Sequence, residues 1–460
     1  MTTRINAPEG FFLQQLFECF NSSSIRYVVM RNYESLPYSG GGSDLDILVP
    51  IGDYRQAQVV LLDCISQSGG TLLGVVRTWN FFEVYVIGRG DGNWWGVCVE
   101  IYSSISYKSS VSLINLDCRD EISTKHNGVS VMKNDVGNTL GFIKEIMAHD
   151  LFRSDKPQYI ESARSLLLEQ NEVYRKVFSS LGSRALSLLT FALEDRHTKR
   201  EKIGVVRAFR RAVIFNAFLS SPLGFVGKRI VHEFYRVMRY LHPPGTIIAI
   251  LGVDGAGKST IIDAIKRPLD DATHNATFVQ HLRPTLLPPL ARLRGKKAID
   301  TRPVTEPHSS APSGALGSLS RLVYLTADYI LGYWLKTRPQ IAKRPAICLF
   351  DRYAYDMIID PRRFRIALPS KLIRWFTTLA PKPDLVFCLY GNPEVIAARK
   401  QELPLAEVAR QVDALKEFAA NEPRAVLIST EGTVEQSRDQ VLEAIANYCA
   451  KRAEGRARVG

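Results

Sequence analysis

No stretch of the 460-residue chain keeps its apolar character for the ~18 residues a helix needs to cross a bilayer. Cysteine is sparse and unpaired. The seven residues Cys19, Cys64, Cys98, Cys118, Cys348, Cys388 and Cys449 are odd in number, and no two form a C-x-x-C pair. That argues against a disulfide framework or a zinc site and for a reducing, cytoplasmic setting. The eight histidines form no HxxxH pair. The opening MTTRINAPEGFFLQQLFECF has no basic stretch followed by an apolar run and a small-residue cleavage site, which argues against a secretory signal. Its Phe11, Phe12, Leu16, Phe17 and Phe20 instead mark one side of an amphipathic helix. No helix-turn-helix or zinc-finger signature is present, which argues against direct DNA binding. Acids are the minority charge: 46 Asp and Glu face 59 Lys and Arg, a net +13 that favours anionic partners.

What is there falls into three segments. Residues 1–135 mix strands (SIRYVVM, LDILVPI, FFEVYVIG, GVCVEIYSS) with a helix over YRQAQVVLLDCISQSG, the pattern of an α+β domain. Residues 136–244 read as helical, and 199–242 are distinctive: ten Lys or Arg between Lys199 and Tyr240 oppose Glu201 and Glu233. A basic amphipathic segment with interleaved aromatics suits a membrane surface or an acidic partner. An interdomain helix pair packing its apolar face and solvating its arginines has the same pattern. Pro243-Pro244 closes the segment. From Gly245 to Gly460, strands TIIAILGV, AICLF, DLVFCLY and AVLIST alternate with helices, predicting an α/β parallel sheet covered on both faces. The Pro-, Arg-, Gly- and Ser-rich stretch 283–317 is long enough to be a lid or a binding loop.

GVDGAGKS, Gly252 to Ser259, has the spacing G-x-x-x-x-G-K-[ST] between a strand and a helix. Gly252, Gly255 and Gly257 let the loop wrap with its N–H groups inward, with Asp254 and Ala256 between them and Thr260 following. Lys258 reaches β- and γ-phosphates, and the Ser259 hydroxyl is a Mg²⁺ ligand, so ATP and Mg²⁺ are the expected cofactors. In LFDRYAYD, Asp351 follows a strand as a second Mg²⁺ ligand, while Arg352 is placed to grip a phosphate through two parallel hydrogen bonds. An Asp-Arg pair in that position also forms plain surface ion pairs.

Gly245 to Tyr448 resembles the thymidylate kinase family of P-loop nucleoside monophosphate kinases. The likeness rests on Asp254-Gly255-Ala256-Gly257-Lys258-Ser259-Thr260, on Asp351-Arg352-Tyr353, on PDLVFCLYGNPEVIAARK (383–400) and on AVLISTEGTVEQ. It implies a catalytic arginine either in the phosphate loop or in the lid. With Gly255 where the first type carries Arg, it points to Arg399, Lys400 and Arg410. The acceptor side departs from the family. Only Arg283-Pro284 matches its Arg-Glu-Pro, and Tyr329 and Leu331 stand where it places an Arg and a Gln. Arg362, Arg363 and Arg365, with Arg283, Arg292, Arg294, Lys296, Lys297 and Arg302, suit a phosphorylated or acidic acceptor instead. Tyr324, Tyr329, Tyr333 and Trp334 offer either stacking for a base or sugar, or helix packing.

In GGSDLDILVP (41–50), Asp44 and Asp46 alternate on a strand and so project from one face. Two such carboxylates hold Mg²⁺ in two-metal sites, and Glu100 in VCVEIY is the candidate third acid. Residues 25–105 resemble the nucleotidyltransferase fold shared with DNA polymerase beta. Arg31-Asn32 stands where that family expects a Gly-Ser turn, and Gly42-Ser43 lies too close to replace it.

The leading expectation is an ATP-dependent phosphotransferase acting on a nucleoside monophosphate or another phosphorylated or acidic acceptor. Three alternatives stay open: a kinase for a sugar or lipid-linked glycan, an ATP-controlled switch, and nucleotidyl transfer by the N-terminal domain. The expected location is cytoplasmic, with 199–242 available for contact with a membrane surface, and a dimer is compatible with everything above.

Overall fold

The computed structural model describes residues 7–42, 44–90, 92–115, 119–150, 155–168, 172–194, 199–288 and 313–458. Arg292, Arg294, Lys296, Lys297, Arg302, Ser43 and Cys118 lie outside them. The chain forms two compact units, Met1–Met238 and Arg239–Gly460.

The first unit is built on a seven-stranded mixed sheet. Its strands are β1 (Val28–Val29), β2 (Leu45–Leu48), β3 (Gly70–Arg77), β4 (Phe81–Gly90), β5 (Asn93–Tyr102), β8 (Ser123–His126) and β9 (Val129–Met132), in the order β3-β4-β5-β2-β1-β9-β8. A small hairpin of β6 (Ser106–Tyr107) and β7 (Val111–Ser112) lies apart from it. β3, β4 and β5 form an antiparallel meander, and β5 runs parallel to β2. This register sets Asp46 beside Glu100, and Glu100 beside Glu83. The helix Gly10–Ser22 buries Phe12, Leu13, Leu16, Phe17 and Phe20. Leu13 takes the place expected of Phe11, which is exposed, because the buried stripe follows the 3.6-residue period. The helices between Asn134 and Ser220 share one core with the sheet: Phe142, Ile146, Leu189 and Phe209 pack in a single cluster with Val28, Leu48 and Met132.

The second unit is a five-stranded sheet, parallel throughout, of β10 (Thr246–Gly252), β11 (Thr277–His281), β12 (Ile347–Asp351), β13 (Leu385–Tyr390) and β14 (Ala425–Ser429). Its order is β11-β12-β10-β13-β14. β10 is buried at all seven positions, which is why it reads as an unbroken apolar run. Ile247, Ala249 and Leu251 pack on one face with Leu322, Ile373 and Leu415. Ile248 and Ile250 alternate to the opposite face. Each fully buried Ile or Leu contributes about 1.5–3 kcal/mol over an exposed one. The order places β10 centrally, so the loop after it opens at the carboxyl edge of the sheet, where such folds bind ligands.

Candidate functional site

The loop from Gly252 to the start of the helix Lys258–Thr273 is shaped by glycine backbone geometry. Gly255 and Gly257 hold φ of 92° and 87°. A Cβ on Gly255 would also stand 2.9 Å from the Ile396 carbonyl oxygen and 3.2 Å from the Lys400 Cβ. An arginine there is thus excluded twice, by backbone strain and by the segment packed against the loop. Lys258 is folded back along the loop: its Nζ donates to the carbonyls of Gly252 (2.9 Å) and Val253 (3.1 Å) and lies 3.6 Å from Asp254 Oδ1. Burial, reinforced by the nearby Arg352 charge, pulls its ammonium down to about 8.

Around the loop lies a cavity of about 1000 Å³. Of the expected site residues, Asp254, Gly255, Gly257, Lys258, Ser259, Thr260, Asp351, Arg352 and Arg399 line it, as do Lys400 and Arg363. Gly252 ends β10, and Ala256 is buried under the loop. Arg410 is not in the lining. Its guanidinium pairs with Glu407 at 2.7 Å and donates to the Ile359 carbonyl at 3.1 Å.

Asp254 organises the cations. Arg352 and Arg363 both donate to its carboxylate, and Arg352 also donates to Asp356 Oδ1 at 3.0 Å. Burial alone would raise Asp254, but Arg352, then Lys258 and Arg363, hold it well below the usual carboxylate range. Arg352 is almost fully buried and carries φ 76°, a left-handed backbone that an arginine adopts only when its surroundings over-determine it. Those surroundings are the hydrogen bond that its backbone N–H donates to the Ile250 carbonyl (3.0 Å) and the two carboxylates. The expected phosphate grip of Arg352 is therefore already engaged by Asp254 and Asp356, and Arg363 is half-buried on the same Asp254; Arg399 and Lys400, the latter 3.1 Å from Glu402, are the exposed cations. Asp351 Oδ2 is hydrogen-bonded to His281 Nδ1 at 2.9 Å, while its buried Oδ1 has no hydrogen-bond partner. Asp351, with this orphaned carboxylate oxygen, and the exposed Ser259 line one cavity, and a carboxylate with a hydroxyl fits a hard divalent cation such as Mg²⁺.

His281 was not foreseen as a site residue. Its only sequence signal is its place at the end of β11, level with Asp351 at the end of β12. Thr430, Gly432, Thr433 and Val434 of the AVLISTEGTVEQ segment also line the cavity, as does Ser437 just beyond that segment. The acceptor-side candidates are mostly engaged elsewhere. Arg283 pairs with the fully buried Asp328 at 2.8 Å, and Tyr329 packs on Tyr353 with its hydroxyl on the Leu282 carbonyl. Tyr333 and Trp334 stack with Arg338, and the Tyr324 hydroxyl bonds the Pro288 carbonyl. The aromatic cluster thus packs the protein itself. Arg362 is exposed outside the lining, whereas Arg363 is in it.

In the first unit Asp44, Asp46 and Glu100 do converge, with donor oxygens within 4.8 Å of one another. Arg31 stands among them: its Nη2 donates to Asp44 Oδ2 at 2.8 Å and its Nε to Asp46 Oδ2. Burial, then the neighbouring Glu83 and Asp46, push Glu100 up to about 9, and Tyr102 donates to it. Asp46, 1% exposed, keeps only Oδ1 without a partner. Arg31 thus covers one oxygen of each aspartate, while the three acids keep donor oxygens close enough together to share one cation once Arg31 moves aside.

No family model matches the sequence, and no curated protein matches it. Among solved structures, the chain is similar to the crystal structure of thymidylate kinase from Ehrlichia chaffeensis, at 16% identity and a TM-score of 0.32. That match covers 44% of this chain and 100% of that one. At such a score it decides neither substrate nor activity.

Proposed function

We propose that the unit Arg239–Gly460 is an ATP-dependent phosphotransferase that moves the γ-phosphate to an anionic acceptor, either a nucleoside monophosphate or another phosphorylated or acidic small molecule. The observation that carries this reading is the single cavity that joins the Gly252–Ser259 loop to Arg363, Arg399 and Lys400. An acceptor oxygen attacks the γ-phosphorus, the bond to the β–γ bridging oxygen breaks, and ADP leaves with that electron pair. Little covalent work falls to the protein, so positioning and charge neutralisation carry the rate.

Lys258 leaves the loop carbonyls to meet the β- and γ-phosphates at the start of the helix Lys258–Thr273, whose dipole favours the same anion. Ser259 and Asp351 are the residues to hold Mg²⁺, which when bound offsets charge on the phosphate oxygens. Arg399 and Lys400, at the end of the helix Pro393–Arg399, are placed to stabilise charge on the transferring group. Asp254 keeps the buried Arg352 and the half-buried Arg363 aligned in the cavity wall.

The test is transfer of label from γ-labelled ATP to a panel of acceptors, from dTMP and other monophosphates through sugar phosphates to glycolipid extracts, with Lys258→Ala as the blank. Label on dTMP defines a thymidylate kinase with an altered pocket. Label only on a sugar or lipid fraction defines a glycan kinase. Phosphate release that ignores the acceptor, or transfer by Lys258→Ala at the wild-type rate, refutes the reading.

A further inference from the structure

The two helices of the basic segment behave differently. Lys199–Ser220 buries Val206, Phe209 and Val213 in the core of its unit. The next helix, Pro222–Leu241, buries no residue at all. Within the first unit it exposes Leu223 (90%), Val226, Ile230 (64%), Phe234 (58%) and Val237. These are spaced by three, four, four and three residues, so they form one continuous apolar stripe. Phe215 and Leu219 at the end of the preceding helix are exposed as well.

The charges on the same helix point to what covers the stripe. Between Pro222 and Met238 it carries Lys228, Arg229 and Arg236 against Glu233 alone, in a chain of net +13; Glu233 lies 3.0 Å from Arg236 and 3.9 Å from Arg229, solvent-facing pairs that a lipid phosphate can replace. A second copy would bring cations against cations. An anionic lipid surface brings phosphates to them and acyl chains to the stripe. No helix among the described residues is long and apolar enough to cross a membrane, so the helix would lie in the interface plane over its ~30 Å length.

We propose that Pro222–Leu241 docks the protein on an anionic bilayer, with Leu223, Val226, Ile230, Phe234 and Val237 sunk among the acyl chains and Arg229 and Arg236 at the headgroup phosphates. This does not depend on the phosphotransfer reading, and the test uses no nucleotide.

Full-length protein is sedimented with vesicles of phosphatidylglycerol and phosphatidylcholine in equal parts, and with vesicles of phosphatidylcholine alone. The expected result is binding to the anionic vesicles, reduced by salt. Phe234→Glu with Ile230→Glu should weaken it at least roughly tenfold, since charges replace the inserted groups. Arg236→Ala, whose side chain is 70% exposed, should weaken it roughly fivefold. Both sites are on the surface, so an unchanged melting temperature verifies the fold. Failure of the wild type to sediment with anionic vesicles overturns the proposal. So does equal binding by the double variant, or a concentration-dependent dimer that Phe234→Glu dissociates.

Discussion

Each unit sets arginine against two carboxylates at the end of its sheet, and the two clusters come out opposite. In the second unit, cations outnumber acids around an open cavity: Lys258, Arg352, Arg363, Arg399 and Lys400 face Asp254 and Asp351. In the first, acids outnumber cations among the described residues: Arg31 pairs with Asp44 and Asp46, and the buried Glu100, beside Asp46 and Glu83 in the sheet, is pushed up to about 9. A cationic surplus beside empty volume remains available for an anionic ligand. An acidic surplus in a buried place must be neutralised from within, and Arg31 does so.

Four measurements would break or sharpen that contrast. The largest expected effect is on Lys258→Met, which should lower phosphate transfer by at least ~100-fold through loss of charge on the phosphate path. The same change should raise the melting temperature of the unliganded protein near neutral pH. Because the folded-state pKa of Lys258 is depressed to about 8, folding is opposed wherever the unfolded lysine holds its proton more tightly. That cost is complete below pH 8 and disappears at high pH. A variant that transfers normally would make the cavity's surplus charge irrelevant.

Nucleotide affinity should next be followed with pH. As pH rises through 8, Lys258 loses its proton in the free protein, and a charge-assisted hydrogen bond of about 1.5–3 kcal/mol is weakened, roughly a 10- to 100-fold loss. Titration calorimetry on either side of pH 8 would detect it; a flat profile would place Lys258 outside the phosphate contacts.

For the first unit, Arg31→Ala leaves Asp46 buried without its cation. Arg31 is 55% exposed, and solvent screening reduces the loss to about 1–3 kcal/mol in denaturant unfolding. Added Mn²⁺ should restore stability to that variant and leave the wild type unchanged. A wild type stabilised by Mn²⁺ would mean that the metal displaces Arg31, reopening nucleotidyl transfer at Asp44 and Asp46.

The smallest effect is on Glu100→Gln. With the folded-state pKa raised to about 9, the folded wild type keeps a proton that the unfolded chain releases, a cost that grows as pH rises above the unfolded value and is complete above pH 9. Glutamine removes that cost, so the variant should melt roughly a few degrees higher at neutral pH, with the gain vanishing below about pH 4.

Much of the second unit was legible residue by residue. The strands at Thr246, Ile347 and Leu385 are fully or largely buried apolar runs, Ala425–Ser429 is an apolar edge strand that buries only Ile428, and the loop's glycines carry their conformational demand in their identity. Arg410 was misplaced as a cavity residue because a basic residue on an amphipathic helix gives no sign of its partner, here Glu407 three residues away. In the first unit the meander was half seen. β3, β8 and β9 went unrecognised, since GTLLGVVR, STKH and VSVM are short or broken by glycine and gain their strand character from pairing.

The sequence by itself determined the phosphate loop, the strand-helix alternation around it and the pairing of Asp44 with Asp46 on one face, because each depends on neighbours a few residues apart. Only the tertiary structure decided that Arg352 and Arg363 meet on Asp254, that His281 lies on Asp351, and that Arg31 fills the space among the N-terminal acids. These contacts join residues 13 to 109 positions apart. Their energies depend on burial and on the other charges nearby, which no local pattern records.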